Sequence, residues 1–394
     1  MRVLFVTHNV PRFEGDAAGS FVLRLAVALQ QTGVAVHIIA PGGTGLGPRA
    51  HIEGVSIERV PYAADAAMTL AYSGTMVEQV QGSWGKRVDL LQLMRALRSA
   101  THRALAAASE SGTPYDLVHA HWWFPAALAL WHGASTPRVV TMHGSDVRLA
   151  QRLRPAQRLM RALLADCAAR TAVSSWLANA VQTIAPQLQV DVAPMPVDTA
   201  RFVPPTNDAA RAGVLFVGRL NAQKGTADLI DALGHPALRE ASLVVVGDGP
   251  DRAALEQRAI DNGSAPRITW RGTLTPTELV ALYQGARVVA MPSRDEGLGL
   301  VAVEAQLCGT PVVAYASGGL TDVVRTDAGG ALVAAGDTEA LARALAAVVH
   351  DPAEGARRGQ LARAQVLSRF SPAAVASAYR AVYERVQAPP RAGT

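Results

Sequence analysis

Short continuous apolar runs alternate along this chain with stretches in which apolar residues recur every three or four positions, and glycine or proline turns separate them. Runs of the first kind predict buried strands; the second kind predicts helices. In the first half, strands are expected over residues 3–9, 34–40, 55–60, 116–121 and 138–143, with helices over 20–31 and 86–108. Residues 61–85 show no clear period and are expected to form a long loop. In the second half, strands are expected over 214–218, 242–247, 268–271, 287–291 and 311–315. Thr275-Pro276-Thr277-Glu278 combines an N-cap, a proline at the first helical position and a capping-box glutamate, so a helix starts there. A last helix is expected over 373–386, with residues 388–394 frayed. Strands apolar on both faces and alternating with helices predict an α/β protein of doubly wound parallel sheets. The proline-rich stretch 194–208 divides it, giving an N-terminal domain 1–197 and a C-terminal domain 198–371.

Length agrees with that division, since 394 residues at about 150 per domain make two or three domains. Hydrophobic residues are 49% and charged residues 18%, enough apolar material for large cores, which sets disorder aside. Cys167 and Cys308 are the only cysteines; no disulfide framework can form, and a reducing cytoplasm is the expected setting. The apolar stretch at the N-terminus is too short for a signal peptide, and no run of about 18 apolar residues is present to span a membrane. The net charge of +5 sits entirely in the first half, where 17 Lys/Arg face 12 Asp/Glu through Val197; the rest carries 20 of each. Such a half can meet anionic lipid, an anionic acceptor or nucleic acid, or can be an ordinary soluble surface. Lys86 and Lys224 are the only lysines, which singles out Lys224 as a compact point charge among arginines.

In open parallel sheets, ligands bind beyond the carboxyl ends of the strands, so the strand-to-helix turns should carry the chemistry. The first turn of the second half runs from Gly218 and Arg219 to Lys224 and Gly225, and two cations there suit a pyrophosphate. A solvated surface turn is the alternative. The second, Gly247-Asp248-Gly249-Pro250, resembles half of a dinucleotide fingerprint and is too weak to argue function from. The third, Pro292-Ser293-Arg294-Asp295-Glu296-Gly297-Leu298-Gly299-Leu300, leads into a helix near Leu300. Its amides and the helix dipole form an anion site, and Glu296 and Glu304 both lie within reach of one ligand. Carboxylates accept from paired hydroxyls, as in ribose and sugars. Glu304 sits among Val303, Ala305 and Leu307, where an unpartnered carboxylate is costly. A fourth turn, Ser317-Gly318-Gly319, allows another close backbone approach to a ligand.

Taken in order, Arg219, Lys224-Gly225, Gly247-Asp248-Gly249-Pro250, Glu296 and Glu304 resemble the donor-site signature of retaining glycosyltransferases of family 4, which have the GT-B fold. Gly309-Thr310-Pro311-Val312-Val313 and the linker from Val197-Asp198 to Pro204 are similar in the same sense. The resemblance implies two Rossmann-like domains facing across a cleft, with residues 372–394 packing back on the first. It implies that Arg219 and Lys224 bind the donor diphosphate, Glu304 the ribose and Glu296 the sugar. The amides of Gly297, Leu298, Gly299 and Leu300 would face sugar and phosphate, beside Gly218 and Gly249. In the first half, His143 within Thr141-Met142-His143-Gly144-Ser145-Asp146 resembles the family's histidine that reaches the donor sugar. Gly19 lies where many members carry a Gly-Gly pair; here Gly15 and Gly19 are separated. No metal or other cofactor is implied, and the histidines lack ligand spacing. Retention without a carboxylate nucleophile implies front-face attack, with the departing phosphate taking the acceptor's proton.

The function expected is hexose transfer from a UDP- or GDP-sugar to a glycan, a lipid-linked acceptor or a small molecule. A sugar phosphorylase, a nucleotide-sugar epimerase and a non-catalytic nucleotide-sugar binder are the rivals; phosphate dependence or donor hydrolysis separates them. Nucleic acid is not an expected partner, because the basic half carries no aromatic-interleaved stripe and the second half is neutral. Two arginine-rich segments, 86–103 and 148–164, either cover their own sheet or lie on an anionic membrane at the inner face of the cell. Donor base, acceptor, linkage and oligomeric state are left open.

Overall fold

The structure, a computed structural model, describes residues 1–72, 76–132, 135–206 and 210–388. The chain divides into two units. One is Met1–Pro196 with the segment from Pro372 onward; the other is Val197–Ser371.

The first unit runs β1 (Arg2–Val6), α1 (Ser20–Gln30), β2 (Ala35–Pro41), β3 (Arg49–Ile52), β4 (Val55–Val60), α2 (Met76–Gly82) and α3 (Trp84–Glu110). It continues with β5 (Leu117–His121), β6 (Arg138–Met142), α4 (Ser145–Arg152), α5 (Arg154–Ala165), β7 (Ala169–Ala172), α6 (Ser175–Ile184) and β8 (Asp191–Val192). Its eight strands are ordered β3-β4-β2-β1-β5-β6-β7-β8 and pair in parallel, except for β3 against β4. The second unit runs β9 (Ala212–Val217), α7 (Thr226–Leu233), β10 (Leu243–Val246), α8 (Arg252–Asp261), β11 (Ile268–Trp270), α9 (Pro276–Gly285) and β12 (Ala286–Met291). Then follow α10 (Leu300–Leu307), β13 (Val312–Tyr315), α11 (Leu320–Val323), β14 (Ala331–Val333), α12 (Thr338–Val349) and α13 (Pro352–Phe370). Its six parallel strands are ordered β11-β10-β9-β12-β13-β14. The last helix, α14 (Pro372–Gln387), belongs to the first unit, where Tyr379 donates to the Ala193 carbonyl at 3.0 Å.

The apolar runs form central strands because both faces are covered: β5 is buried at every position, and β13 likewise. Thr275 and Glu278 close the expected capping box at the start of α9.

Two expectations need correction. Residues 61–85 are not a continuous loop, for they hold a 3₁₀ turn at Asp65–Ala67 and the helix α2. Helical order there comes from tertiary partners rather than periodicity: Lys86 Nζ donates to the Ala67 carbonyl at 2.8 Å, and Thr69 Oγ1 to Gln79 at 3.1 Å. Residues 73–75 of that stretch lie outside the described residues, as do residues 207–209 of the linker and 389–394 of the expected frayed end. The second concerns β3, which no alternation announces. It pairs antiparallel with β4 through Glu53-Gly54, both at positive φ (49° and 79°), the pattern of a tight hairpin turn.

Candidate functional site

Each sheet reverses its strand order once, and in doubly wound sheets the ligand crevice lies at the carboxyl ends of the two strands flanking that reversal. In the second unit these strands are β9 and β12. The turn after β9 closes with the 3₁₀ segment Ala222–Lys224, whose Asn221 side chain accepts the Lys224 N–H at 3.2 Å. The turn after β12 is bonded to it. Arg294 N–H donates to the Gln223 carbonyl at 2.8 Å, and Gln223 Nε2 to the Asp295 carbonyl at 3.2 Å. Across this junction Lys224 Nζ donates to Glu296 Oε2 at 2.7 Å, with side chains only 21% and 17% exposed. One of the ammonium's three donors is thereby used, leaving two for other acceptors. Arg219 lies exposed in the same turn.

Glu304 is the fifth residue of α10 and is held differently: Tyr283 from α9 donates its hydroxyl to Glu304 Oε2 at 3.0 Å. Burial, and then the neighbouring carboxylate, push the Tyr283 phenol well above its ordinary range, so it remains a donor at any working pH. The sequence singles out both glutamates; Lys224 pairs with Glu296, and Tyr283 with Glu304.

Sequence reading missed what fixes the Glu296 loop. Asp228, in the first turn of α7, accepts from Arg294 Nη2 at 2.7 Å and from the Tyr315 hydroxyl at 2.8 Å, while the Arg294 guanidinium stacks over the Tyr315 ring. The three come from different turns, and no local spacing signals their meeting.

The glycines of these turns serve the backbone more than expected. A Cβ on Gly318 would lie 2.4 Å from the Glu296 carbonyl oxygen, and one on Gly319 2.4 Å from that of Gly297. The Glu296 loop therefore packs directly on the backbone of this pair. Gly249 is packed in the same way, with its Cβ position 2.2 Å from the Leu220 carbonyl oxygen. Gly218 differs: the nearest neighbours of a Cβ there would be the Phe216 ring and Lys224 Cδ, at 3.4 and 3.6 Å. Gly299 caps α10, Leu298 beside it is buried, and Leu300 opens the helix. Gly297 precedes them in the same turn.

In the first unit the reversal falls between β1 and β5. Beyond their ends the rings of His8 and Trp122 lie 4.1 Å apart, and His143, following β6, is 4.2 Å from Trp122. His143 Nε2 and His121 Nδ1 share a hydrogen bond at 3.1 Å. Buried Asp146 accepts the N–H groups of Trp123, His143 and Gly144 at 3.1, 3.2 and 3.0 Å, which holds the His143 turn. Burial lowers His8 to about 4 and His121 to about 3, and takes His143 well below its ordinary value, so these imidazoles are neutral near pH 7. His119, its neighbour on β5, is a structural residue: both ring nitrogens are taken, by Tyr383 and Thr141, each at 2.7 Å. Gly19 caps α1 with its Cβ position 2.6 Å from the Asn9 carbonyl oxygen, so here too glycine serves a backbone contact. Among the described residues, no group of three or more His, Cys, Asp or Glu is placed to hold a metal ion.

Comparison with known proteins adds independent findings. Residues 201–365 match the family model described as glycosyl transferases group 1, and residues 18–201 that of glycosyltransferase family 4. A D-inositol 3-phosphate glycosyltransferase of Salinispora tropica is 31% identical over 392 residues, covering 89% of this chain and 77% of that protein. A glycogen synthase of Mycobacterium tuberculosis is 30% identical, covering 97% and 94%. Among solved structures, a sucrose-phosphate synthase from Thermosynechococcus elongatus matches with a TM-score of 0.79 at 23% identity, covering 98% of both chains. Anabaena HepE, solved in complex with UDP-glucose, matches with a TM-score of 0.70 at 19% identity, covering 98% of this chain and 99% of that one.

Proposed function

Since the chain belongs to the family 4 glycosyltransferases, enzymes of the GT-B fold that act on nucleotide-sugars, we propose that it is a retaining hexosyltransferase using a UDP- or GDP-sugar. The acceptor is a glycan, a lipid-linked saccharide or a small hydroxylated molecule. The observation that carries this reading is the Lys224–Glu296 ion pair joining the two turns at the β9/β12 reversal, with Glu304 oriented two helical turns further on.

Arg219, Lys224 and the N-terminus of α10 meet the charge that develops on the leaving diphosphate, and the reaction needs no metal. Glu304 accepts from the ribose hydroxyls, and Glu296 accepts from a sugar hydroxyl. The acceptor oxygen attacks the anomeric carbon on the face from which the C–O bond to phosphate breaks. Its proton passes to the phosphate oxygen, giving a glycoside of unchanged anomeric configuration and a nucleoside diphosphate.

Lys224→Ala is expected to lower turnover about a hundredfold or more. Because the pair is largely buried, the melting temperature of the variant is compared with the parent to separate lost chemistry from lost fold. Thermal-shift screening of UDP- and GDP-sugars identifies the donor, and proton NMR of the product reads the anomer. Transfer by the variant within twofold of the parent, or an inverted anomer, would overturn the reading.

The first unit offers a surface for an anionic membrane. On α3, Trp84, Val88 and Leu91 share one face and are 78%, 49% and 56% exposed. Arg87, Arg95 and Arg98 are exposed beside them. Apolar side chains set among arginines suit a lipid surface bearing negative headgroups, where a lipid-linked acceptor would be met.

A further inference from the structure

The second unit has a cavity of about 500 Å³ at the amino-terminal edge of its sheet, the opposite edge from Lys224 and Glu296. Arg211 precedes β9, Arg287 is the second residue of β12, and Arg363 comes from α13; all three line it. Among the described residues that line it there is no aspartate or glutamate. The two edges are about 20 Å apart, the length of a six-residue strand such as β9.

The three guanidiniums are held in different ways. Arg211 donates to the Cys308 carbonyl at 3.0 Å and to the Thr310 hydroxyl, so it is fixed in place. Arg363 donates through Nε to the Leu307 carbonyl at 3.1 Å, which leaves its two terminal nitrogens for another acceptor. Arg287, half-buried, makes no hydrogen bond or ion pair among the described residues. Pro352, Gly355 and Ala356 also line the cavity, so the first turn of the 19-residue α13 adds the positive end of its dipole. The nearby Glu354 carboxylate is already paired with Arg357 and Arg358.

Three guanidiniums line one cavity with no carboxylate among its described lining, and guanidinium forks match phosphate oxygens. The volume fits a small metabolite rather than a polymer. We propose that this cavity is a second anion site, taking the phosphate group of a small phosphorylated molecule at a place separate from the donor turns. The inference does not depend on the donor assignment.

Lys224→Ala supplies a background in which the donor turns are weakened. Calorimetry on that variant with inorganic pyrophosphate and, separately, ribose 5-phosphate distinguishes a free anion from a phosphorylated metabolite. At least one should bind, and adding Arg287→Ala or Arg363→Ala should weaken it tenfold or more. Arg287 makes no hydrogen bond or ion pair among the described residues, so its loss should leave folding intact; the melting temperature of the single Arg287→Ala protein should match the parent and serves as the folding check. Absence of binding by both probes, or affinities unchanged by both arginine substitutions, would overturn the proposal.

Discussion

At the scale of single residues, Glu304 shows how a buried partner makes a carboxylate usable. Its surroundings in sequence are apolar, and the Tyr283 hydroxyl is what stabilises and aims it. Tyr283→Phe deletes that bond while preserving the ring, so Glu304 should meet ribose less well oriented. A hydrogen bond to a charged group is worth about 1.5–3 kcal/mol, which sets the expected loss of donor binding at roughly tenfold or more. KM for the nucleotide-sugar should rise by that factor with kcat changed less, since the phenol touches no reacting atom. Steady-state kinetics with varied donor checks this; an unchanged KM would show that Glu304 is oriented without it. Gly218, Lys224, Glu296 and Glu304 were readable because each stands at a strand end or on a short helix, where local pattern dictates position. Asp228 and Tyr315 were not readable, because their meeting with Arg294 depends on three turns being brought together.

Elements resolve what the arginine-rich segments do. The sequence leaves 86–103 and 148–164 with the same two readings, and burial separates them. In α4 and α5, Val147, Ala150, Met160, Leu163 and Leu164 pack inward, so their apolar face covers the protein itself, with Leu153 between the two helices exposed. In α3 the apolar residues divide. Leu90, Leu93 and Leu97 are buried while Trp84, Val88 and Leu91 face outward. Vesicles rich in anionic lipid should therefore float the protein at low salt, and the Trp84→Ser/Leu91→Ser double variant should remain at the bottom of the gradient. Parent protein that fails to float, or a variant that floats equally well, would remove the membrane role of α3. Helical periodicity could not reveal this face, because an outward apolar residue and an inward one look alike until the sheet beneath is in place.

For the molecule as a whole, the histidines of the first unit make stability depend on pH. His8 and His121 hold pKa values of about 4 and about 3 in the folded protein, and His119 and His143 are also lowered by burial. In the unfolded chain each titrates near 6.5. Between those limits the unfolded state binds more protons, so unfolding free energy falls as pH falls from about 6.5 towards 4. Urea midpoints followed by tryptophan fluorescence should drop steeply between pH 7.5 and pH 5; Trp84, Trp122, Trp123, Trp131 and Trp176 all report on this unit. A flat midpoint over that range would mean the histidines charge without penalty. Substituting His119 by Asn should remove part of the slope.

By itself the sequence determined the doubly wound α/β class, the division near residue 197, most strand positions and the turns that hold Arg219, Lys224 and Glu296. These follow from hydrophobic period, caps and turn residues, all read within a few neighbours. Only tertiary structure decided which turns meet at each sheet reversal, that the glycines at 249, 318 and 319 are packed against neighbouring backbone, and that three arginines share one cavity. Those outcomes depend on strand order, and strand order is set by long-range packing that no local pattern encodes.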